Sequence, residues 1–389
     1  MKFKNYIKNF LKYTFFLNLG DLNNKSFYLI IGTQNKNNLN KILVRKNKKY
    51  YLDISKKKIN LAYFLNVLYW YDFFKVFLED NFTTAYYFII IKNLKCKSVI
   101  TFYDNNINFY KLKKHLPSIK FFSIQNGARH LFNDIFGLEE LKEQKNLKAD
   151  FIFVFNKDIK KMYEKYIDAK VVVIGSFKNN LVPKFFKNKR SNLAYISQYR
   201  ESIILKKQIF YWKKKKITSE DFYKNDKILL NNIFKFCKKN KIKLNIICAT
   251  KDKSEKKYFQ TLINNKNINF IEKKYNDLGV YKSIHLFSII VCSWSTLGYE
   301  CLSRDIKTCF FRQKMKNLSD RSFGWPNNSL PKETFFYTEE PDHKKIYKIL
   351  NKIYKMSKDE WIKKIHYYKT KVMFYDYKNK IIKKYINNV

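Results

Sequence analysis

The chain has 389 residues, too many for one ordinary core and enough for two domains of roughly 200 residues each. Hydrophobic residues make up 46% and aromatics 18% of it, enough apolar surface to pack interiors, which excludes a chain disordered in bulk. Lys+Arg number 79 against 32 Asp+Glu, a formal net charge of +47, and a field of that sign attracts nucleic acid, anionic lipid or polyanionic substrates.

The lysines are spread along the chain rather than gathered in one arm: Lys56-Lys57-Lys58, Lys213 to Lys216 and Lys363-Lys364 lie far apart. Lys, Asn, Ile, Phe and Tyr are all frequent and all have A/T-rich codons. Base composition therefore accounts for much of the excess, and the remainder suits a protein at a membrane surface. Cys96, Cys237, Cys248, Cys292, Cys301 and Cys309 form no CxxC pair, and the five histidines show no ligand spacing near them. Structural zinc is not expected, and reduced, core-packed thiols in a cytoplasmic protein are the simpler expectation.

Met1-Lys2-Phe3-Lys4 is basic, but the apolar run behind it is short and lacks a small-residue cleavage site, so it makes a poor signal peptide. Phe27–Gly32 reads as a short strand, and Ile42–Leu52 contains another. Leu61–Leu78 comes nearest to a membrane span, yet Asn66, Asp72 and Lys75 argue against spanning. A helix packed on its own domain is expected there, with an interfacial membrane helix as the alternative.

Ser98–Phe102 reads as a buried strand, Ile107–His115 as a helix stopped before Pro117, and Lys120–Ile124 as a second strand running into Gln125-Asn126-Gly127. Phe151–Phe155 is a third strand, Asp158–Ile167 a helix, and Lys170–Ile174 a strand ending at Gly175. Short apolar strands separated by helices imply parallel pairing with right-handed crossovers.

Lys178–Arg190 is basic and aperiodic and reads as a linker. Strand and helix then alternate again: Asn192–Ile196, Asp226–Lys239, Lys243–Cys248, Ser254–Ile263, Asn267–Ile271, Asn276–Ser283, Leu286–Val291, Thr296–Ser303 and Lys307–Phe311. The tail, Ser357–Ile386, reads as helical throughout. The expected fold class is α/β of the GT-B type, two Rossmann-like domains facing a central cleft. Residues 1–180 would form the acceptor domain and 181–356 the nucleotide-donor domain. Residues 357–389 would be a C-terminal helix packing back across the domain junction.

Ligands bind at the carboxyl ends of parallel strands, and three such ends carry chemistry. In Ile289-Ile290-Val291-Cys292-Ser293-Trp294-Ser295-Thr296-Leu297-Gly298-Tyr299-Glu300 an apolar strand meets a Ser/Thr cluster and then a helix. Ser295 or Thr296 is a natural N-cap, and the exposed N–H groups behind it make a phosphate site together with Ser293. Gly298 costs helix stability and permits close approach. Glu300, at i, i+4 from Thr296, would reach a ribose diol. The same residues also make an ordinary capped helix.

In Phe121–His130, Gln125, Asn126 and Gly127 turn the chain, Arg129 offers a bidentate clamp for carboxylate or phosphate, and His130 a general base toward an acceptor hydroxyl. An Asn-Gly turn with two solvated side chains is the plainer alternative. In Ala194–Glu201, Ser197 and Gln198 follow a strand, and Arg200 would neutralise a leaving diphosphate in place of a divalent cation, unless it is simply a solvated loop residue. Phe323-Gly324-Trp325-Pro326 is an aromatic turn suited to stacking on a base, to covering the cleft, or to plain packing. There is no GxxxxGK[ST] loop, HExxH or GxSxG, nor a DxD in the setting of a metal-dependent transferase, and no RRM, zinc-finger or helix-turn-helix pattern. Nucleic-acid binding rests on charge alone and is not expected.

Ile124–Arg129, Val173-Ile174-Gly175-Ser176-Phe177-Lys178-Asn179-Asn180, Ile196–Arg200, Ser295–Glu300 and Phe323–Pro326 occur in this order. Together they resemble a bacterial family of O-antigen or surface-carbohydrate biosynthesis proteins. More distantly they are similar to GT-B capsule Kdo transferases and CDP-glycerol glycerophosphotransferases. The resemblance spans roughly Ser98 to Pro326 and implies lipopolysaccharide or capsule assembly at the cytoplasmic face of the inner membrane. It implies a nucleotide-sugar or nucleotide-alditol donor and a glycan or lipid-linked acceptor, with no metal and no further cofactor. Gly175 and Ser176 join the candidate substrate-binding residues on this ground. Ala249-Thr250-Lys251 departs from the pattern, standing where a Gly-Arg-like pair is expected. The rival expectations are a sugar-nucleotide epimerase of the same shape, a basic nucleic-acid-binding module, and a non-catalytic scaffold.

Overall fold

The computed structural model describes residues 14–20, 26–32, 35–44, 47–53, 58–132, 134–144, 146–184, 192–212, 214–223, 226–263, 268–272, 278–312, 323–327 and 330–387. Met1–Lys4, Lys56, Lys57, Lys213, the 185–190 part of the linker and the predicted helix start at Asn276 lie outside them. The chain divides into two compact units. Residues 1–126, 134–177 and 379–389 form the first, and 127–133 with 178–378 form the second.

In the first unit the strands are β1 (Thr14–Phe16), β2 (Tyr28–Ile31), β3 (Lys49–Leu52), β4 (Lys58–Asn60), β5 (Ser98–Thr101), β6 (Lys120–Ile124), β7 (Lys148–Val154) and β8 (Asp168–Val173). Six of them pair in the order β3-β2-β5-β6-β7-β8, every pair parallel, while β1 pairs only with β4. β2 and β5 are buried at every residue, as strands covered on both faces must be. The longer helices are α1 (Trp70–Glu79), α2 (Phe82–Leu94), α3 (Ile107–His115) and α4 (Lys157–Tyr166). Asparagine serves as the N-cap of the last three. Asn81, Asn106 and Asn156 each accept backbone N–H bonds from the first turn of α2, α3 and α4, relieving donors that a helix start leaves unpaired.

The second unit repeats the scheme with β9 (Asn192–Ile196), β10 (Phe210–Trp212), β11 (Lys215–Ile217), β12 (Lys243–Ile247), β13 (Asn269–Ile271), β14 (Ile289–Cys292), β15 (Thr308–Phe311) and β16 (Tyr337–Thr338). Its parallel sheet has the order β13-β12-β9-β14-β15-β16, and β10-β11 is a separate antiparallel hairpin. Its longer helices, with one short helix that borders the site, are α5 (Asp226–Lys239), α6 (Lys253–Ile263), α7 (Gly279–Ser283), α8 (Thr296–Ser303), α9 (His343–Lys355) and α10 (Lys358–Val372).

Two expectations need correction. Leu61–Leu78 is not one helix: 3-10 turns at Leu61–Phe64 and Val67–Tyr69, capped by Asn60 and Asn66, precede α1. The tail is not one helix either. α10 ends at Val372 within the second unit, and α11 (Lys380–Ile386) belongs to the first, where Tyr385 packs 4.9 Å from the Phe151 ring. Lys378 and Asn379, both at positive φ, make the break. No helix among the described residues is long and apolar enough to cross a membrane.

Candidate functional site

Chain order in the second sheet fixes where a ligand fits. From central β9 the chain moves outward to β12 and β13, then returns on the other side to β14. Loops leaving β9 and β14 therefore part from one another, the usual crevice of an open parallel sheet. A cavity of about 390 Å³ lies at this edge. Ile196, Ile247 and Ile271, the last residues of β9, β12 and β13, line it together with Cys248 and, from α7, Val280. Ser197, Glu272, Lys282, Ser283 and Ser295 supply the polar and charged groups. Apolar walls with a few converging polar groups suit a flat heterocycle carrying polar substituents.

Ser295, not Thr296, is the N-cap of α8, accepting the Leu297 N–H at 3.3 Å. Thr296 does something else: its Oγ1 accepts the Ala128 N–H at 3.0 Å. At the other end of that loop Phe132 packs with Ile217, Phe210, Trp212, Phe222 and Trp294. The segment Gly127–Phe132 is thus fastened within the second unit, bringing two motifs 168 residues apart together. On it, Arg129 is buried and donates from Nε to the Gly127 carbonyl at 3.1 Å. His130 is half-buried, its Nδ1 shielded from solvent.

Other candidates serve the framework. Ser197 Oγ accepts the Tyr199 N–H at 3.0 Å while lining the cavity. The Gln198 carbonyl accepts Tyr223 Oη–H at 3.0 Å, and Gln198 and Ser293 line a smaller recess with Asp226 and Trp294. Arg200 is exposed and does not line the cavity. Gly298 does permit close approach, but to the sheet rather than to a ligand: a Cβ there would overlap Cys292 Sγ and lie 3.0 Å from Phe310. Glu300 is 5% exposed and accepts Tyr281 Oη–H at 3.0 Å, so a ribose contact would have to share this carboxylate. Phe323 is buried, stacked 4.3 Å from the Tyr337 ring, so packing, not base stacking, occupies it.

Gln125, Asn126, Gly175 and Ser176 belong to the first unit. Gln125 is buried, its Oε1 accepting the Phe155 N–H at 2.8 Å, and the Asn126 N–H donates to Asp104 Oδ1 at 3.2 Å. Gly175 holds φ at +74° where the chain leaves β8, a region that costs glycine nothing, and Ser176 behind it is buried.

The residues not anticipated come from strand ends and helices far apart in sequence. Glu255 of α6 is fully buried and holds the loop at 249–250. Its carboxylate accepts the N–H groups of Ala249 and Thr250 at 2.9 and 2.8 Å and the Thr250 hydroxyl at 2.8 Å. An internal carboxylate thus satisfies the donors of this loop. Burial pushes the Cys248 thiol up to about 12, which leaves no thiolate in the cavity near neutrality. Desolvation raises Asp226 to about 7, against a smaller opposing effect of the hydrogen bond with Tyr258. All six cysteines are free and buried.

Two six-stranded parallel α/β units of this kind define a GT-B-type protein, and solved structures agree. The S. aureus MnaA–UDP co-structure superposes with a TM-score of 0.50 at 12% identity, covering 92% of this chain and 94% of that one. A UDP-N-acetylglucosamine 2-epimerase gives 0.50 at 10%, covering 93% and 94%. The spinosyn rhamnosyltransferase SpnG gives 0.50 at 9%, covering 92% and 100%. Likeness at such identity establishes the fold and nothing further. No curated protein sequence matches the chain. Residues 122–389 match the model of a family described as "putative O-antigen biosynthesis protein", and the chain belongs to that family.

Proposed function

We propose that the protein is a surface-polysaccharide transferase, moving a sugar or polyol phosphate from a nucleotide-activated donor to a glycan or lipid-linked acceptor. The observation that carries this reading is the cavity at the β9/β14 switch point, opening beside the Ser295-capped start of α8. The apolar strand ends would receive the base. Ser295 and the first N–H groups of α8 would hold the donor phosphate, where the helix dipole favours an anion. Glu300, through Tyr281, would steady the sugar side of the pocket. His130 would take the acceptor proton, and Arg129 beside it would address the acceptor. The scheme calls for no metal and no cofactor beyond the donor. Working at the cytoplasmic face of the inner membrane is part of the same proposal.

A thermal-shift screen of CMP, CDP, UDP and GDP tests the donor site, since ligand binding raises stability by mass action. One nucleotide is expected to stabilise the protein, and Ser295→Ala to remove most of that shift. No stabilisation by any of the four would sink the reading. Incubating the preferred nucleotide sugar without acceptor separates transfer from epimerisation: a 2-epimer in the product would favour the epimerase.

A further inference from the structure

The first unit carries an apolar surface that the donor reading does not use. Leu65, Val67, Leu68, Trp70, Tyr71, Phe74 and Leu78 are all exposed, Leu68 and Leu78 at 81% and 80%. They are held outward by firm local structure. Trp70 Nε1 donates to the Phe64 carbonyl at 2.7 Å, and α1 buries Phe73 and Val76 while Trp70, Phe74 and Leu78 form an outer i, i+4, i+8 row. Beside that row a groove of about 260 Å³ is lined wholly by apolar side chains, with Phe15, Leu61 and Trp70 among them. Soluble surfaces seldom present contiguous apolar area of this kind without a partner.

Charge indicates which partner. Lys58 and Lys75 are exposed beside the patch, and Lys92 lies 5.9 Å from the Tyr69 ring centre. The acids at the end of α1 are already paired: Lys114 lies 3.1 Å from Asp80 and 3.8 Å from Glu79, and His115 lies 2.7 Å from Asp80. Only half-buried Asp72 remains on α1 against this basic surround, in a chain of net charge +47. A short helix with Trp and Tyr at its outer edge and a basic rim suits the plane of an anionic bilayer.

We propose that Leu61–Leu78, with the exposed edge of β1, is a bilayer-docking surface that seats on anionic lipid. It stands apart from the donor assignment, so either can fail alone. The full chain should co-sediment with vesicles of equal parts phosphatidylcholine and phosphatidylglycerol, and more weakly with phosphatidylcholine alone. The double variant Leu68→Asp, Leu78→Asp alters two nearly fully exposed side chains and should keep its circular dichroism and Tm. Its partition into the mixed vesicles should fall roughly tenfold or more, the loss expected from removing two apolar anchors. Equal partition of the variant would overturn the proposal, leaving the general basic charge as the only attraction. Wild-type protein that stays in the supernatant would overturn it too, and would do so in favour of self-association if the variant also turned a dimer into a monomer on gel filtration.

Discussion

Single residues here are constrained more by their neighbours than by exposure to ligand. Gly298 is the sharpest case, because any side chain would drive α8 off β14 and β15. Gly298→Ala should therefore cost about 1–3 kcal/mol in urea unfolding, the usual range for overpacking, whether or not donor is present. Asp226 makes a second case, through pH. Burial holds its folded pKa at about 7, well above the usual carboxylate range, so folding favours the protonated form. Its contribution is fully present below about pH 4 and is lost as pH rises through 7. Asp226→Asn should thus be more stable than the native protein at pH 8, by roughly 2–3 kcal/mol once the N-terminal helix dipole is allowed for. The difference should vanish near pH 4, which paired unfolding curves at the two pH values would reveal.

At the level of elements, the hydrogen bond between Ala128 and Thr296 is the fastening most open to test. Thr296→Val keeps the shape of the side chain but leaves the Ala128 N–H without its acceptor, at a cost of about 1–2 kcal/mol. The expected readout is faster tryptic cleavage after Arg129, with a fall in unfolding free energy no larger than that cost; an unaltered digestion rate would count against the latch. Such elements were unevenly legible in the sequence. Ile107–His115, Lys120–Ile124, Asp226–Lys239 and Thr296–Ser303 follow from apolar periodicity and, in several cases, polar cap residues, and they appear with the expected bounds. The β10-β11 hairpin and the break after Val372 did not announce themselves. The reason is compositional. With only 8 glycines in the chain, left-handed positions fall to Lys214, Lys241, Lys378 and Asn379, residues that carry little turn signal. The candidate site was legible where strand, cap and helix are contiguous, at Ser293–Glu300. It was hidden where its walls come from three separated strand ends, and Glu255 gave no local sign of the loop it holds.

For the molecule as a whole, the charge of +47 is a cost as well as an attraction. Like charges spread over both units repel in the compact state, and salt screens them over a Debye length of about 10 Å at 0.1 M. Tm should therefore rise as ionic strength increases from about 10 to 150 mM, whereas a protein stabilised mainly by surface ion pairs would show the opposite trend. Family membership alone points to O-antigen biosynthesis, and the cavity beside α8 is the candidate place for its chemistry. The loop bearing Arg129 and His130 hangs from the same helix start that would receive the donor phosphate. On the proposed reading, the two substrates would then not arrive at random: the donor would add first and the spent nucleotide leave last. Product inhibition would carry that signature, with the released nucleotide competing against the donor but not against the acceptor.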